Sequence, residues 1–265
     1  MARIYTLANQ KGGVGKTTCA INLGAYLGYY GQRVLLVDLD PQANATSSLG
    51  IDKKTVKSGT YEVLIGANPV GPQILHNPKL KISELPSSPA LAGAEVELIE
   101  MPNREQRLKD ALAPVLDRYD YILIDCPPSL SLLTINGLIA GRNGVLIPVQ
   151  CEYLALEGLG QLTQTLTRVR SSLFPNLQVR GVILTMYDGR TRLALDVVGE
   201  VRKFFPEKVF QTIIPRSIRL AEAPSYGQPI SLYAPDSTAA RSYAALAREV
   251  LEQDGIHIPV FSEEG

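Results

Sequence analysis

The amino-acid sequence predicts an α/β protein with a single doubly wound, mostly parallel sheet and helices on both of its faces. Short apolar runs recur at 34–37, 121–124 and 144–149, and such runs are typical of strands buried on both faces of a parallel sheet. Segments with helical periodicity separate these runs, and regular alternation of strand and helix is the pattern of a doubly wound sheet. We expect one domain over residues 1–265, a length that is ordinary for a single α/β domain.

The composition is that of a folded globular protein. Hydrophobic residues make up 45% of the chain and charged residues 20%, which is enough apolar material for a large core. The formal net charge is zero, with 26 basic and 26 acidic residues. The distribution is uneven, because 12 Lys or Arg but only 6 Asp or Glu lie between Arg168 and Arg248. This part of the chain is therefore a candidate surface for an anionic partner, although a mixed solvated surface explains the excess equally well.

The three cysteines, Cys19, Cys126 and Cys151, predict neither a disulfide framework nor a zinc site. They lack a C-x-x-C spacing, and each lies in an apolar stretch where a buried thiol is expected. The chain begins directly in a predicted strand, without a signal peptide, and holds no apolar run of about 18 residues. We therefore expect a cytosolic protein.

The first chemical motif is the sequence K-G-G-V-G-K-T-T at 11–18, between a β-prone stretch at 4–8 and a helix expected at 19–27. Strand, glycine loop, Lys-Thr and helix is the layout of a phosphate-binding loop. Glycines let successive backbone N–H groups turn toward phosphate oxygens, and the helix N-terminus adds the positive end of its dipole. Lys16 can reach the β- and γ-phosphates, and the Thr17 hydroxyl can bind Mg²⁺. The candidate nucleotide-binding residues of this loop are Lys11, Gly12, Gly13, Val14, Gly15, Lys16, Thr17 and Thr18.

Acidic residues follow two of the buried strands. The first helix is expected to end near Gly31, and the strand at 34–37 then runs into Asp38 and Asp40. The strand at 121–124 runs into Asp125, which two prolines follow closely. Ligands of open α/β sheets bind at the carboxyl ends of the strands, so these carboxylates should lie beside the phosphate loop. Asp125 matches a Walker B carboxylate that holds a water of Mg²⁺, whereas Asp38 and Asp40 could bind Mg²⁺, orient a water or cap a helix.

The remaining elements follow from periodicity and turn residues. We expect a short helix at 60–65, a strand at 80–85, an amphipathic helix at 104–116, a strand at 144–149, a long helix at 156–173, a strand at 179–186, a helix at 190–205, a strand at 209–214 and a final helix from Ser237 or Thr238 to Gln253. The apolar faces expected for three of these helices are Leu108, Leu112, Val115 and Leu116; Leu193, Val197, Val201 and Phe204; and Tyr243, Leu246, Ala247, Val250 and Leu251.

The phosphate loop departs from the usual pattern G-x-x-x-x-G-K-[ST], because Gln10 stands at the first glycine and a second lysine, Lys11, follows it. This variant resembles the deviant Walker A loop of the ParA/MinD ATPases. The sequences D-L-D-P-Q-A-N at 38–44, I-D-C-P-P-S at 124–129 and P-R-S-I-R-L-A-E-A-P-S-Y-G-Q-P at 215–229 extend the resemblance over essentially the whole chain. The last of these is particularly similar to the short chromosomal ParA proteins of the Soj group.

The resemblance implies a slow ATPase with ATP as substrate and Mg²⁺ as cofactor. In the family the first lysine crosses a dimer interface, so Lys11 is expected to touch the nucleotide of the partner subunit. By the same resemblance Asp40 positions the attacking water and Asp38 helps to hold the metal site. The adenine lies between two loops in the family, which points to Met186 and Pro215 as the positions that pack against the base.

The resemblance also implies a set of partners. An ATP-dependent homodimer should bind double-stranded DNA non-specifically, and a ParB-type centromere-binding protein should stimulate hydrolysis. The output would be chromosome or plasmid partitioning by a cytoplasmic, nucleoid-associated protein. Because non-specific DNA binding needs arginines aimed at phosphates, the candidates are Arg190, Arg219, Arg192 and Arg216, with Arg241 as a weaker one.

Three alternatives belong to the same superfamily. A ParA-like cargo-positioning ATPase has the same motifs, and a neighbouring ParB gene would discriminate against it. A MinD-like division-site regulator needs a basic amphipathic C-terminal helix, but the tail at 255–265 contains Pro259 and ends in Glu263-Glu264-Gly265, so we expect no stable membrane association. Nitrogenase-type iron proteins need cluster ligands, and neither Cys126 nor Cys151 lies in the matching context.

Overall fold

A computed structural model of the chain describes residues 1–153 and 155–258. Its strands form one sheet in the order β3-β4-β2-β5-β1-β6-β7, in which β3 is antiparallel to β4 and all other neighbours are parallel. The strands are β1 (Arg3–Leu7), β2 (Val34–Asp38), β3 (Leu75–Asn77), β4 (Ile82–Leu85), β5 (Tyr121–Asp125), β6 (Val145–Gln150) and β7 (Val179–Thr185). The predicted fold class is confirmed.

Helices cover both faces of the sheet. The helices are α1 (Lys16–Tyr29), α2 (Asn44–Ser48), α3 (Thr60–Ile65), α4 (Leu91–Glu97), α5 (Arg107–Leu112), α6 (Leu132–Ala140), α7 (Ala155–Ser172), α8 (Arg192–Phe204), α9 (Ile218–Glu222), α10 (Ile230–Tyr233) and α11 (Thr238–Gln253). One apolar core joins the sheet to α1, α2, α10 and α11, and the other joins it to α3 through α8. Of the helices in the described part of the chain, none combines the length and hydrophobicity that crossing a bilayer needs.

The strand register brings the acidic residues to one edge. Asp125 pairs with Leu7 on one side and with Asp38 on the other, so β1, β2 and β5 end side by side. The phosphate loop leaves the end of β1 at this same edge. The carboxyl ends of the three strands therefore bring Asp38, Asp125 and residues 11–18 together, as their positions in the sequence predict.

Several predicted helices are confirmed together with their buried faces. Helix α1 ends at Tyr29, and Gly31 follows with φ of +85°, the left-handed conformation that favours glycine after a helix. The predicted apolar face of α11 is buried. Helix α5 starts later than predicted and ends at Leu112, and a 3₁₀ turn, Ala113–Arg118, replaces its C-terminal part. Pro114 lies at the start of that turn, where its missing N–H cannot continue an α-helix.

The predicted strand at 209–214 is wrong. This segment runs beside β7 but forms only isolated bridges, one between Val182 of β7 and Val209 and one between Tyr187, which follows β7, and Pro215. The reason is a competing acceptor. The backbone N–H groups of Gln211 and Thr212 donate to the Glu249 carboxylate on α11, at 2.7 and 3.0 Å. Alternate N–H groups of an extended segment face the same neighbour, and Phe210 donates to Val182 of β7, so Thr212 would be the next donor toward β7. Its N–H is taken by Glu249 instead, and the ladder is interrupted until Ile214 donates to Leu184.

The apolar face predicted for α8 is partly wrong. Val197 and Val201 are buried, but Leu193 and Phe204 are 46% and 49% exposed. The buried stripe also includes Ala194 and Val198, so the face that packs on the core is rotated from the one expected. Other elements were not predicted, namely α2, β3, α4, α6, α9 and α10. Most of the C-terminal tail named above, residues 259–265, lies outside the described residues.

Candidate active site

The phosphate loop has the backbone shape that its glycines permit. Gly13 and Gly15 have φ of +73° and +89°, and Gly15 is the residue that precedes α1. A Cβ on Gly13 would touch nothing within 4 Å, so glycine is needed there for backbone conformation rather than for space. The Thr185 hydroxyl at the end of β7 donates a 2.8 Å hydrogen bond to the carbonyl of Val14. The loop is therefore fixed to the sheet, and the free N–H groups at the start of α1 lie beside it.

Lys16 lies inside this loop rather than in solvent. It is 7% exposed, and its Nζ donates to the carbonyl of Lys11 at 3.3 Å. Burial lowers the pKa of Lys16, while the nearby carboxylates of Asp125 and Asp40 act in the opposite direction. An anionic phosphate in the loop would add another favourable charge, so Lys16 is placed to bind it.

Thr17 and Asp125 form the candidate metal site. The Thr17 hydroxyl donates to Oδ2 of Asp125 at 2.7 Å, and Oδ1 of this fully buried carboxyl has no hydrogen-bond partner among the described residues. Burial raises the pKa of Asp125 well above its usual value, with the Asp38 charge adding to the rise and Thr17 and Lys16 opposing it. A hydroxyl beside an orphaned carboxyl oxygen fits Mg²⁺, which keeps several waters and uses few protein ligands.

The rest of the coordination must come from the nucleotide and water. Among the residues that the structure describes, no three His, Cys, Asp or Glu side chains come together as a possible metal-ligand set. When bound, the ion supplies positive charge that neutralises the phosphate oxygens.

Asp38 holds the loop that carries Asp40. Its Oδ1 accepts from the backbone N–H of Asp40 at 3.1 Å, and its Oδ2 accepts from the N–H and hydroxyl of Thr46 at 2.9 and 2.7 Å. Complete burial raises the pKa of Asp38 to about 6, although these hydrogen bonds oppose the rise. The structure thus gives Asp38 a positioning contact with the middle of α2, and its predicted metal role stays a prediction.

Three buried hydroxyls stabilise the same loop and were missed in the sequence. Thr60 donates to the carbonyl of Asp38 at 2.8 Å, and Ser87 donates to the carbonyl of Asp40 at 2.8 Å. Thr46 also accepts from the backbone N–H of Ser87. The available sequence signal for Ser87 was its position just after the strand end at Leu85, which is the same edge of the sheet.

Asp40 lies at the open side of this network. It is 6% exposed, and its Oδ1 accepts from the N–H of Gln42 at 2.9 Å. In the described part of the chain Oδ2 has no hydrogen-bond partner, which leaves it able to accept from a water. Asp40 lies close enough to Lys16 for their charges to interact, and its position next to the terminal phosphate stays a prediction.

Lys11 borders an open cleft beside the phosphate loop. Its backbone is fixed, because its N–H donates to Oδ1 of Asn9 at 3.1 Å. The cleft has a volume of about 490 Å³ and lies between the loop, residues 128–130 and helix α7, with Gln10, Gly158 and Gln161 on its walls. Among the side chains that the structure describes, those of residues 1–153 and 158–258, no carboxylate lies within 4.0 Å of the Lys11 ammonium.

The two predicted base-packing residues lie in neighbouring loops. Met186 has φ of +52°, and a Cβ on Gly15 would lie 3.9 Å from its Cε, so its side chain lies against the phosphate loop. Pro215 pairs with Tyr187, which follows Met186 in the chain. The loop after β7 and the segment after Ile214 therefore meet beside the nucleotide loop, which is where the adenine is predicted.

The candidate DNA-binding arginines lie on the surface, and three of them form local ion pairs. Arg190 contacts Asp188 at 2.7 Å, Arg216 contacts Glu152 at 2.6 Å, and Arg219 contacts Glu222 at 3.1 Å. Their side chains are 88%, 55% and 62% exposed, respectively. The hydrogen bonds from Arg190, together with the nearby Arg216 charge, lower the pKa of Asp188 to about 2. Arg192 and Arg241 are exposed, and Arg241 bonds the carbonyl of Asp236.

Comparison with known proteins identifies the family. A family model described as an AAA domain matches residues 2–179. The chain is 53% identical over 250 residues to the sporulation initiation inhibitor protein Soj of Bacillus subtilis strain 168, covering 94% of this chain and 98% of that protein. It is 51% identical over 255 residues to the chromosome-partitioning ATPase Soj of Treponema pallidum strain Nichols, covering 96% and 99%.

One of the similar solved structures contains a bound nucleotide analogue. The crystal structure described as cobyrinic acid a,c-diamide synthase from Mycobacterium smegmatis, with bound ATP analogue and magnesium, superposes with a TM-score of 0.84. It is 37% identical in sequence, and the alignment covers 99% of this chain and 100% of that one. The chain therefore belongs to the ParA/Soj family of chromosome-partitioning ATPases and is an ATPase that uses magnesium.

Proposed function

We propose that this ATPase is a nucleotide-controlled dimeric switch that partitions chromosomes or plasmids. The observation that carries the proposal is the position of Lys11, which borders an open cleft beside the phosphate loop. In a face-to-face dimer its ammonium reaches the nucleotide of the partner subunit. It then stabilises charge on the transferring phosphoryl group in trans, as an arginine finger does.

The other site residues act on the nucleotide of their own subunit, each in a different role. Lys16 and the backbone of the loop bind the phosphates, and Asp40 orients the attacking water. Thr17 and Asp125 hold the metal ion and its waters, and Asp38 keeps Asp40 in place through the backbone bond described above. Since little covalent chemistry falls to the protein in phosphoryl transfer, positioning and charge account for the rate.

The ATP-bound dimer binds double-stranded DNA without sequence preference. Arg190, Arg192, Arg216 and Arg219 are exposed and lie in the basic part of the chain, which suits contacts with phosphates rather than with base edges. The ion pairs of three of these arginines are exposed to solvent, so exchanging a carboxylate for a DNA phosphate costs little. Dimerisation doubles the number of arginines on one particle and so raises DNA affinity.

Hydrolysis resets the switch. A ParB-type centromere-binding protein stimulates ATP hydrolysis, after which the subunits separate and leave the DNA. The similarity to a chromosome-partitioning ATPase and to a second Soj protein supports a role in partitioning. The protein then acts in the cytoplasm, on the nucleoid, without stable membrane association.

The test is co-sedimentation with random-sequence duplex DNA in the absence of nucleotide, with ADP and with a slowly hydrolysed ATP analogue. We expect DNA binding and a dimer by light scattering only with the analogue. Lys16→Ala should lose nucleotide and DNA binding together. Lys11→Ala should bind the analogue but remain monomeric and off DNA, whereas Lys57→Ala, at an exposed position, should behave as the wild type. A Lys11→Ala protein that still dimerises on the analogue contradicts the proposal.

A further inference from the structure

The 217–229 segment, which carries Arg219, packs inward against the nucleotide loop. It comprises α9 and the 3₁₀ turn Ala223–Tyr226. Leu220, Ala223 and Pro224 face Thr17, Thr18 and Ser48 across a cavity of only about 20 Å³. A cavity of this size has room for about one water, so the segment and the loop lie close together. A residue proposed to bind DNA is thus attached to an element that rests on the active site.

Asn22 ties the end of this segment to the first turn of α1. Its Nδ2 donates to the carbonyl of Thr18 at 2.8 Å, and its Oδ1 accepts from the N–H of Ile230 at 2.7 Å. The side chain is buried, with 4% exposed. Because a buried polar group without a partner is costly, the Asn22 side chain keeps both hydrogen bonds at once. A movement of Thr18 therefore also displaces Ile230 at the start of α10.

A second contact joins two glycines. Gly50 and Gly227 have φ of +83° and +64°, and a Cβ on Gly227 would lie 2.6 Å from Cα and 3.0 Å from N of Gly50. The neighbouring atoms are backbone atoms, which cannot rotate away. The backbones of Gly227 and Gly50 are therefore in direct contact, with no free space between these two segments of the chain.

Gly50 is in turn connected, through α2, to the loop that carries Asp40. Its N–H donates to the carbonyl of Ser47 at the end of α2. In the middle of the same five-residue helix, Thr46 donates to the carboxylate of Asp38, which also accepts from the backbone N–H of Asp40. A shift of the Asp40 loop thus moves α2 and, through Gly50, presses on Gly227.

We propose that Asn22 and the Gly50–Gly227 contact are positioning elements that couple the nucleotide state of the active site to the DNA affinity of the 217–229 segment. The inference rests on the proposed function, since it requires Arg219 to contact DNA. Asn22 transmits movements of the phosphate loop, because it bonds Thr18. The Gly50–Gly227 contact transmits movements of the loop that carries Asp40, because α2 lies between them. Coupling between two binding sites is reciprocal, so DNA must tighten nucleotide binding by the same factor as nucleotide tightens DNA binding.

The experiment measures this factor in full-length protein. Fluorescence anisotropy with a labelled random duplex gives DNA affinity without nucleotide and with the slowly hydrolysed analogue, and analogue affinity is measured with and without DNA. For the wild type we expect a ratio of about 10-fold or more in both measurements, within the range usual for allosteric coupling. Gly227→Ala should reduce both ratios at least fivefold while changing analogue affinity without DNA less than about threefold.

A matched control separates coupling from backbone strain. Gly31→Ala also introduces a Cβ at positive φ, but nothing lies within 4 Å of it, so both ratios should stay at the wild-type value. Asn22→Ala, which leaves the glycine contact intact, should reduce the ratios as well. It provides a second measurement if the melting curve shows that Gly227→Ala does not fold.

The outcomes are distinguishable. Wild-type ratios near one would contradict the proposed switch itself. Wild-type ratios of 10-fold or more that persist in folded Gly227→Ala and Asn22→Ala would overturn the inference and leave the switch standing. A loss of coupling in Gly31→Ala as well would assign the effect to general strain and also overturn it.

Discussion

The Thr17 hydroxyl donates a 2.7 Å hydrogen bond to one carboxylate oxygen of Asp125, while the other oxygen of that buried group has no partner among the described residues. The loop threonine and the Walker B carboxylate thereby meet in one site although they are 108 residues apart in the chain. This pair is what makes the site fit a hydrated magnesium ion.

Removal of the Thr17 hydroxyl should weaken the use of magnesium. For Thr17→Ala we expect the Mg²⁺ concentration at half-maximal ATPase activity to rise about 10- to 100-fold, the usual cost of removing a group that binds or orients at a metal site. Thr17→Ser keeps the hydroxyl and should stay within a few-fold of the wild type. Steady-state hydrolysis over a Mg²⁺ titration is the measurement, and equal curves for Thr17→Ala and Thr17→Ser would contradict the assignment.

Removal of the Asp40 carboxylate should stop hydrolysis without preventing nucleotide binding. Asp40→Ala is expected to hydrolyse ATP about 100-fold more slowly or worse, in the range that follows removal of a positioned acid–base group. The protein should then stay dimeric on DNA with ATP itself, which we expect of the wild type only with the slow analogue. Gln42→Ala, which keeps the backbone N–H that Asp40 accepts from, is the control. Wild-type hydrolysis by Asp40→Ala would show that another group orients the water.

The candidate arginines should contribute to DNA binding through phosphate charge. Arg219→Ala is expected to weaken binding to duplexes of unrelated sequence to a similar extent. It should also lower the slope of log K against log salt by about 1 for each phosphate that the arginine neutralises. Arg33→Ala is the matched control, because Arg33 is also exposed and paired, with Asp120, but lies at the opposite ends of the strands. An unchanged salt slope in Arg219→Ala would remove this residue from the interface.

Glu84 should make stability depend on pH. This carboxyl is 3% exposed, and neither oxygen has a hydrogen-bond partner in the described part of the chain. Burial raises its pKa from 4.5 to about 8, the Asp38 charge adds to the rise, and the nearby Thr46 hydroxyl offsets part of it. Between these two pH values the folded state keeps the proton that the unfolded chain releases, so wild-type stability falls as pH rises.

The comparison is with Glu84→Gln, which resembles the protonated form and cannot ionise. Urea unfolding should show the two proteins close together near pH 4.5 and the variant more stable by pH 8, by up to about 4 kcal/mol. Glu100→Gln, at an exposed position, should follow the wild type throughout. A constant difference between Glu84→Gln and the wild type across this pH range would contradict the buried-acid explanation.

The sequence predicted the parts of the site that lie at strand ends. The glycine loop before α1 and the carboxylates after β2 and β5 follow from local pattern, because the carboxyl ends of parallel strands meet. Thr46 was missed because its contact with Asp38 depends on a turn at Ala43, where φ is +51°, and on a helix of only five residues. Periodicity is not informative over so short an element.

The wrong strand at 209–214 and the missed helix α6 have their cause in tertiary contacts. The segment at 209–214 has the composition of a strand, but Glu249, almost 40 residues later, binds two of its N–H groups. Helix α6 is apolar on nearly all sides, since it is almost wholly buried, so no amphipathic period marks it. In both cases the structure depends on packing or bonding with residues outside the segment, which a local pattern does not report.

The path of the 208–215 segment also determines how copies of this protein can assemble. On its outer side β7 already bonds this segment, since the N–H of Val182 donates to the carbonyl of Lys208 and its carbonyl accepts from Phe210. A sheet whose flank is occupied in this way cannot template strand addition by another molecule there, and the opposite flank ends in β3, which is only three residues long. Association of subunits through added strands is thereby disfavoured, which would protect the protein from aggregation during the repeated association and separation that the proposed switch requires.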